Sequence, residues 1–261
     1  MVDTMINGTL ATPTRPAPLL FVIPAYNEEA NIERLFEDLE SHTEITGAAA
    51  RIVIVDDGSA DATPRLVEQY GGELPIELLR FEQNQGPGAA FRAGFESVLA
   101  DAPADALVVT MEADTTGDLD ALPRMLARAS SDADVVLADW RMQNVAAHRK
   151  LLSAAAGYVV RKMLGLDAKT VSSFFRVYRA SVLQGAFVRY GDDLIREPGF
   201  ACKAEILANL ASMRVRIVEE PVNLDWSRRE GESKMPVLRT MLAYWRMLVR
   251  QRTAAQEPAG L

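Results

Sequence analysis

Residues 19–28 of the chain read LLFVIPAYNE, and this stretch decides the fold. It begins as an unbroken apolar run and ends in a polar turn, which is typical of a strand buried on both faces of a parallel sheet. Residues 51–59, RIVIVDDGS, repeat the pattern. The remaining predicted strands are Ile76–Phe81, Ala106–Thr110, Val135–Ala138, Phe174–Tyr178 and Val215–Glu220.

Segments of helical spacing alternate with these strands. Between the first two strands, Ile32, Leu35, Phe36 and Leu39 share one helical face. The other predicted helices are Thr63–Tyr70, Gly88–Leu99, Leu119–Ala129, Ala147–Leu164, Ser181–Arg189 and Phe200–Ala211. The alternation predicts an α/β fold, in which a mostly parallel sheet is flanked by helices.

Composition excludes several classes of protein. The chain has 261 residues, of which 49% are hydrophobic, so it can bury the core of one large domain. Its net charge of −8 argues against a nucleic-acid partner. With one cysteine and 2 histidines, the chain cannot form an internal disulfide, a cysteine-based zinc site or a multi-histidine metal site. We expect Cys202 to be a small core residue.

The chain divides into three predicted parts. Residues 1–18 form a loose arm that lacks the basic and apolar regions of a secretory signal. Residues 19–234 form the globular domain, and residues 235–261 form a basic amphipathic helix and a tail. No apolar run reaches the roughly 18 residues that a membrane-spanning helix needs, so the expected location is the cytoplasm.

Polar residues follow the predicted strands. Ligands of parallel sheets bind at the carboxyl ends of the strands, so these segments are expected to form one binding rim. Asp56 and Asp57 expose two carboxylates there, although Ser59 or Asp61 could also be the N-cap of the next helix. Glu112 and Asp114 lie two residues apart after the fourth strand. Oxygen ligands at that spacing suit Mg²⁺ or Mn²⁺ held partly by substrate phosphates, with a solvated acidic loop as the alternative.

Glycines in the sequence do not match nucleotide-binding motifs. Gly86 and Gly88 would begin a G-x-G-x-x-G motif, but Phe91 occupies its third glycine position. The chain also lacks the G-x-x-x-x-G-K-[ST] motif of P-loop proteins. A dinucleotide site and a P-loop are therefore both rejected.

Two basic stretches interrupt the acidic chain, at residues 141–162 and 234–252, and neither contains an acidic residue. Such stretches are where an anion is expected to bind. The second is also amphipathic, because apolar residues recur at helical spacing among its arginines. These are Leu238, Met241, Leu242, Trp245, Leu248 and Val249. This helix is predicted either to lie in a lipid headgroup layer or to pack on the core, or to do both at different ends.

Together these motifs resemble the family 2 glycosyltransferases of GT-A fold, with a Rossmann-like nucleotide-binding half, and within them the polyprenyl-phosphate sugar synthases of dolichyl-phosphate mannose synthase type. The resemblance spans about Leu19 to Lys234. It rests on Pro24-Ala25-Tyr26-Asn27-Glu28, Val55-Asp56-Asp57-Gly58-Ser59, Asn84-x-Gly86-x-Gly88-x-Ala90, Glu112-Ala113-Asp114 and Arg228-x-x-Gly231-Glu232-Ser233-Lys234.

The resemblance implies inverting transfer of a sugar from a nucleotide diphosphate sugar to a polyprenyl phosphate. It also implies a peripheral contact of the protein with the inner face of the cell membrane. GDP-mannose is the favoured donor, and a UDP-sugar is the alternative. The resemblance also implies that the nucleotide would be held by Pro24, Tyr26, Glu28, Asp56 and Asp57. The D-x-D motif would be formed by Glu112, Ala113 and Asp114, with Glu112 and Asp114 binding Mg²⁺ or Mn²⁺. The leaving diphosphate would be neutralised by Arg141, Arg228 and Lys234, and the acceptor phosphate would be held by Arg149 and Ser153.

Three departures from the family pattern are visible. Glu112 stands where aspartate is usual, and Thr116 stands where lipid-phosphate enzymes often have a glutamine ligand. Residues 170–176, TVSSFFR, replace D-x-T-S-G-F-R and lose both its aspartate and its glycine. Two functions other than transfer to a polyprenyl phosphate stay open. The first is transfer to a hydroxyl of a soluble, glycan or protein acceptor, with Asp192, Asp193 or Glu197 as the base. The second is a non-catalytic sensor of nucleotide sugars.

Overall fold

A computed structural model describes residues 17–46, 50–142, 170, 173–224, 240, 242–247 and 249–250. The strands are β1 Leu19–Ala25, β2 Ala50–Asp56, β3 Ile76–Arg80, β4 Leu107–Thr110, β5 Val135–Met142, β6 Arg176–Arg179 and β7 Ile217–Leu224. The helices are α1 Ile32–Thr46, α2 Thr63–Glu68, α3 Pro87–Leu99, α4 Leu122–Ser131, α5 Ala180–Tyr190 and α6 Cys202–Ser212, with 3₁₀ turns at Leu119–Ala121 and Gly191–Leu194. Residues 240, 242–247 and 249–250 are also helical and are called the C-terminal helix below.

The described strands form one sheet in the order β3-β2-β1-β4-β6-β5-β7. Neighbours pair in parallel except around β6, which is antiparallel to both β4 and β5. The prediction of a mostly parallel sheet flanked by helices is confirmed. The reversal of β6 matters for the site, because it brings the amino end of β6 to the rim where β1, β2 and β4 end.

Both faces of the sheet are buried under helices. Phe21 and Ile54 face the layer that contains α1 and α4, whereas Val22 and Val53 face the layer that contains α3, α5 and α6. Side chains of successive strand residues point to opposite faces, so a strand covered on both sides needs apolar residues at every position. This is why β1 and β2 are unbroken apolar runs.

Several elements differ in length from their predictions. β5 extends to Met142 and β7 to Leu224, beyond the predicted Ala138 and Glu220, because the two strands pair in parallel over this whole length. The predicted helix at residues 147–164 lies outside the described residues, as do residues 1–16 of the arm. Within the part of the chain that is described, no helix is both long and apolar enough to cross a bilayer.

Cys202 is fully buried in the core, as predicted. Burial raises the pKa of its thiol to about 12. At pH 8 only about one thiol in ten thousand would be ionised, and the thiolate is the reactive form. We therefore expect a maleimide to leave the native protein unmodified and to add once after denaturation in guanidinium, as read by intact mass. Rapid modification of the native protein would contradict this buried position.

Candidate active site

The carboxyl ends of β1, β2 and β4 lie side by side and form the rim. Ala25 at the end of β1 pairs with Asp56 at the end of β2. On the other side of β1, Val22 pairs with Thr110 at the end of β4, which in turn pairs with Arg176 at the start of β6. The sheet register therefore brings together the segments that the sequence singled out.

The loop after β1 is tied to the loop after β2 by hydrogen bonds. The backbone N–H of Asn27 donates to Ser59 Oγ at 2.8 Å, and that of Glu28 donates to Thr63 Oγ1 at 2.8 Å. The buried Glu28 carboxylate accepts a hydrogen bond of 2.6 Å from Asn31 Nδ2. Glu28 thus helps to shape the loop that contains Tyr26, whereas Pro24 lies near the end of β1 and pairs with Val55 of β2.

The two adjacent aspartates have different surroundings. Both oxygens of Asp57 are used inside the protein, since they accept backbone hydrogen bonds from Gln85 at 2.7 Å and Gly86 at 2.9 Å. Burial raises the pKa of Asp57, against the lowering effect of these two hydrogen bonds. Asp57 therefore holds the loop before α3 in place.

Asp56 is completely buried, and its Oδ1 accepts the backbone N–H of Ser59 at 3.2 Å. Its Oδ2 has no hydrogen-bond partner among the described residues and lies 3.5 Å from Arg80 Nε. A buried carboxylate oxygen without a donor is costly unless a ligand supplies one. Of the two aspartates, Asp56 is thus the one with a carboxylate oxygen that accepts no hydrogen bond from the described residues.

A cleft of about 390 Å³ lies beside Asp56. It is lined by Gly58, Ser59, Arg80, Phe81 and Glu82. Gly58 has φ +70°, and a Cβ there would come within 2.5 Å of the backbone of Gln83, so only glycine fits this turn. Phe81 offers an aromatic surface and Arg80 a positive charge. The sequence analysis assigned no binding role to Arg80 and Phe81, because an arginine and an aromatic residue at the end of a strand are common and do not mark a site.

The loop after β4 presents two acids. Met111 and Ala113 are buried in the core, while Glu112 is half-buried and Asp114 is buried. Asp114 Oδ1 accepts hydrogen bonds from the backbone N–H of Thr116 at 3.2 Å and from its hydroxyl at 2.8 Å. Thr116, which stands where lipid-phosphate enzymes often have a glutamine ligand, therefore orients Asp114.

The fit of a divalent cation can be judged from these donors. Among the described residues, no group of three or more His, Cys, Asp or Glu side chains could hold a metal ion. Two carboxylates are nevertheless a sufficient protein contribution for Mg²⁺ or Mn²⁺ when substrate phosphates supply further oxygens. The chemistry of Glu112 and Asp114 fits that type of site, and their role as ligands stays a prediction.

Lys203 is a buried cation that the sequence analysis missed. It lies in the first turn of α6, with its Nζ 4.1 Å from the centre of the Phe174 ring and 5.3 Å from that of Phe200. Burial lowers the pKa of Lys203, and the charges of Glu112 and Asp114 act in the opposite direction. The only signal in the sequence is a charged residue within the apolar run of a helix.

Arg176 accompanies Lys203 at the start of β6. It is buried and donates a 2.9 Å hydrogen bond to the backbone carbonyl of Lys203. This contact links the reversed strand β6 to the first turn of α6. Arg176 and Lys203 thus lie together on the β4 side of the rim, where the charges of Glu112 and Asp114 act on Lys203.

Most of the predicted phosphate-binding residues cannot be placed. Arg149, Ser153, Arg228 and Lys234 lie outside the described residues. Arg141 lies in β5, where its backbone pairs with Asn223 of β7. The roles of these five residues stay predictions.

The segment before α6 closes one side of the rim. Gly88 N–H donates to the carbonyl of Pro198 at 2.7 Å, and a Cβ on Gly88 would lie 2.0 Å from the carbonyl oxygen of Glu197. Gly86 and Gly88 thus allow close backbone approach.

The candidate bases are each paired with an arginine: Asp192 with Arg92, Asp193 with Arg196 and Glu197 with Arg250.

Comparison with known proteins identifies the family. The model of "Glycosyl transferase family 2" matches residues 20–187. The chain belongs to glycosyl transferase family 2. The chain has the GT-A fold. Glucosyl-3-phosphoglycerate synthase from Mycobacterium tuberculosis, solved with Mn²⁺, UDP and phosphoglyceric acid, matches with a TM-score of 0.64 at 18% identity, over 94% of this chain and 80% of that one. Mannosyl-3-phosphoglycerate synthase from Rubrobacter xylanophilus matches with a TM-score of 0.63 at 16% identity, over 94% and 77%.

Curated relatives of the chain include undecaprenyl-phosphate 4-deoxy-4-formamido-L-arabinose transferases. The protein from Salmonella paratyphi B is 27% identical over 220 residues, which is 84% of this chain and 62% of the relative. The protein from Pseudomonas paraeruginosa is 31% identical over 165 residues, which is 62% of this chain and 47% of the relative. The chain therefore spans about half to three fifths of the length of these relatives.

Proposed function

We propose that this glycosyltransferase transfers a sugar, with inversion, from a nucleotide diphosphate sugar to a polyprenyl phosphate. The observation that carries the proposal is the shared rim. Asp56, with one carboxylate oxygen that accepts no hydrogen bond from the described part of the chain, and the cleft lined by Arg80 and Phe81 lie across β1 from Glu112 and Asp114. The relatives named as undecaprenyl-phosphate sugar transferases support the class of acceptor.

The donor would occupy the rim from the β2 side to the β4 side. Its base would fill the cleft against Phe81, and Asp56 Oδ2 would accept a hydrogen bond from an N–H of the base. Asp57 would act indirectly by holding Gln85 and Gly86. The diphosphate would then reach the loop that carries Glu112 and Asp114.

Glu112 and Asp114 would hold a divalent cation together with the diphosphate oxygens. When bound, Mg²⁺ or Mn²⁺ supplies positive charge that stabilises the leaving nucleoside diphosphate. Thr116 orients Asp114 for this task through two hydrogen bonds. The Mn²⁺ and UDP in the Mycobacterium tuberculosis structure support a divalent cation here and do not decide between the two ions.

The reaction would need charge stabilisation and positioning more than a base. An oxygen of the acceptor phosphate forms a bond to the anomeric carbon while the bond from that carbon to the donor diphosphate breaks, and the electron pair leaves with the nucleoside diphosphate. A phosphate monoester is already anionic, so no proton must be removed to activate it. The engagement of Asp192, Asp193 and Glu197 with arginines agrees with such a mechanism.

The finer assignments belong to the same proposal. Mannose from GDP-mannose is the donor favoured by the resemblance to dolichyl-phosphate mannose synthases, with a UDP-sugar as the alternative. For a lipid-borne acceptor, we propose that the reaction occurs at the inner surface of the cell membrane, with the protein in the cytoplasm.

A donor and acceptor screen tests the proposal. The protein is incubated with labelled GDP-mannose or a labelled UDP-sugar, with Mg²⁺ or Mn²⁺, and with a short polyprenyl phosphate in detergent. We expect organic-extractable label that depends on both the metal and the polyprenyl phosphate. The product should have the anomeric configuration opposite to that of the donor, as read by NMR.

Two controls separate the alternatives. The free polyprenol, which lacks the phosphate, should accept no sugar. Transfer to 3-phosphoglycerate or to glycans, with none to the polyprenyl phosphate, would contradict the proposed acceptor. Donor binding in thermal shift without transfer to any acceptor would contradict the enzymatic role and favour a sensor.

A further inference from the structure

The C-terminal helix has an inner face that packs on the domain. Thr240 and Met247 are buried, and Tyr244 and Met247 contact the core cluster under α3, α5 and α6. These three residues are spaced by four and three positions, so they form one side of the helix. The helix therefore packs on the core through residues that lie outside the predicted apolar stripe.

The outer face of the same helix is apolar and exposed. It consists of Leu242, Trp245 and Val249, whose exposed fractions are 47%, 61% and 44%. Large exposed apolar residues are rare in the described structure, where Val188 is the only other one. All three belong to the predicted apolar stripe, so the described residues of that stripe face away from the core.

The sequence that contains the outer face is basic. Residues 234–252 contain Lys234, Arg239, Arg246, Arg250 and Arg252 and no acidic residue, in a chain whose net charge is −8. Arg246 is exposed beside Trp245. Apolar side chains set among arginines are the composition of helices that lie in the headgroup layer of anionic membranes.

The helix is also connected to the rim. Arg250 pairs with Glu197 and with Glu205, whose carboxylate accepts the backbone N–H groups of Arg196 and Glu197. The next residue, Pro198, accepts the hydrogen bond from Gly88 at the start of α3. The outer face is therefore held in a fixed relation to the segment that closes the candidate site.

We propose that the outer face, Leu242, Trp245 and Val249, docks on an anionic lipid bilayer and holds the rim at the membrane surface. Burial of the apolar side chains supplies one part of the attraction, and the neighbouring arginines supply the other. The inference rests on the proposed function, because a membrane-borne acceptor gives the docking its purpose.

Charge favours a membrane over a second copy of the chain on this face. In a symmetric dimer the same patch meets itself, so Arg246 beside the outer face would oppose its own copy. Like charges at an interface disfavour association. An anionic bilayer instead complements these charges.

Vesicle sedimentation tests the docking surface. The full chain is mixed with phosphatidylcholine vesicles that contain or lack phosphatidylglycerol. We expect binding to the anionic vesicles, and we expect Trp245→Glu to weaken it by at least about tenfold because it places a charge in the apolar face. Val188→Glu is the matched control, since it makes the same change at a residue of α5 that is 89% exposed, and it should bind as the unchanged protein does.

The outcomes separate docking from catalysis. Transfer to a short polyprenyl phosphate in detergent should be unchanged in Trp245→Glu, so loss of vesicle binding alone supports the docking surface. Equal vesicle binding by Trp245→Glu and the unchanged protein would overturn it. A dimer that Trp245→Glu dissociates, without any vesicle binding, would also overturn it and assign the face to a second copy. Absence of transfer in detergent by the unchanged protein would instead count against the proposed function.

Discussion

Replacing Asp114 by alanine is expected to abolish sugar transfer, with a fall in kcat of at least about a thousandfold, or about 4 kcal/mol of transition-state stabilisation. Asp114 is buried at the rim, and Thr116 fixes its orientation with two hydrogen bonds. Loss of the carboxylate removes charge that would hold the cation against the leaving diphosphate. The measurement is the initial rate with saturating donor and acceptor.

Asp114→Asn separates charge from structure. The amide oxygen can still accept the hydrogen bonds from Thr116, so the loop should keep its shape while the negative charge is lost. We expect it to be nearly as inactive as the alanine variant, with a melting temperature close to that of the unchanged protein. Asp105→Ala, at an exposed acid before the opposite end of β4, should leave transfer unaltered. Substantial turnover by Asp114→Asn would refute a role for the charge.

Replacing Lys203 by methionine is expected to lower kcat by about a hundredfold and to tighten Mn²⁺ binding in the absence of donor by about tenfold. Lys203 is a buried cation that acts electrostatically on both Glu112 and Asp114. Without it the two acids attract a divalent cation more strongly, but the rim loses a positive charge beside the leaving diphosphate. Methionine keeps the length of the side chain and can pack against Phe174.

The opposite signs make the Lys203→Met prediction specific. Mn²⁺ affinity is measured by electron paramagnetic resonance of the free ion, independently of turnover. Local unfolding would weaken both metal binding and transfer, so a parallel fall in both would contradict the electrostatic role. Arg189→Met removes a positive charge from an exposed position on α5 and should change neither quantity.

The sequence predicted much of the candidate site because local signals marked it. Apolar runs that end in polar turns located the loops after β1, β2 and β4, and parallel strands necessarily end at one edge. Lys203 and Arg176 carried no such signal. Arg176 reaches the rim because β6 runs antiparallel to β4, and its hydrogen bond to the backbone carbonyl of Lys203 holds the start of α6 there. Both contacts join residues that are far apart in the chain.

The two aspartates after β2 show the same limit at the scale of single atoms. The sequence assigned Asp56 and Asp57 one shared role, since they are adjacent and chemically identical. Their difference depends on Gln85 and Gly86, which satisfy Asp57, and on Arg80, which lies beside Asp56 without donating a hydrogen bond to its Oδ2. These partners come from the next strand and its following loop.

By itself the sequence determined the α/β class, the burial of β1 and β2 on both faces, and the acids at the strand ends, because periodicity and strand-end chemistry are properties of short segments. The tertiary structure decided the strand order and the reversal of β6. It also decided the position of Lys203, on which the charges of Glu112 and Asp114 act, and which face of the C-terminal helix is buried. Each of these depends on which distant surface a segment packs against, and the helical spacing of an apolar stripe does not specify the surface that will cover it.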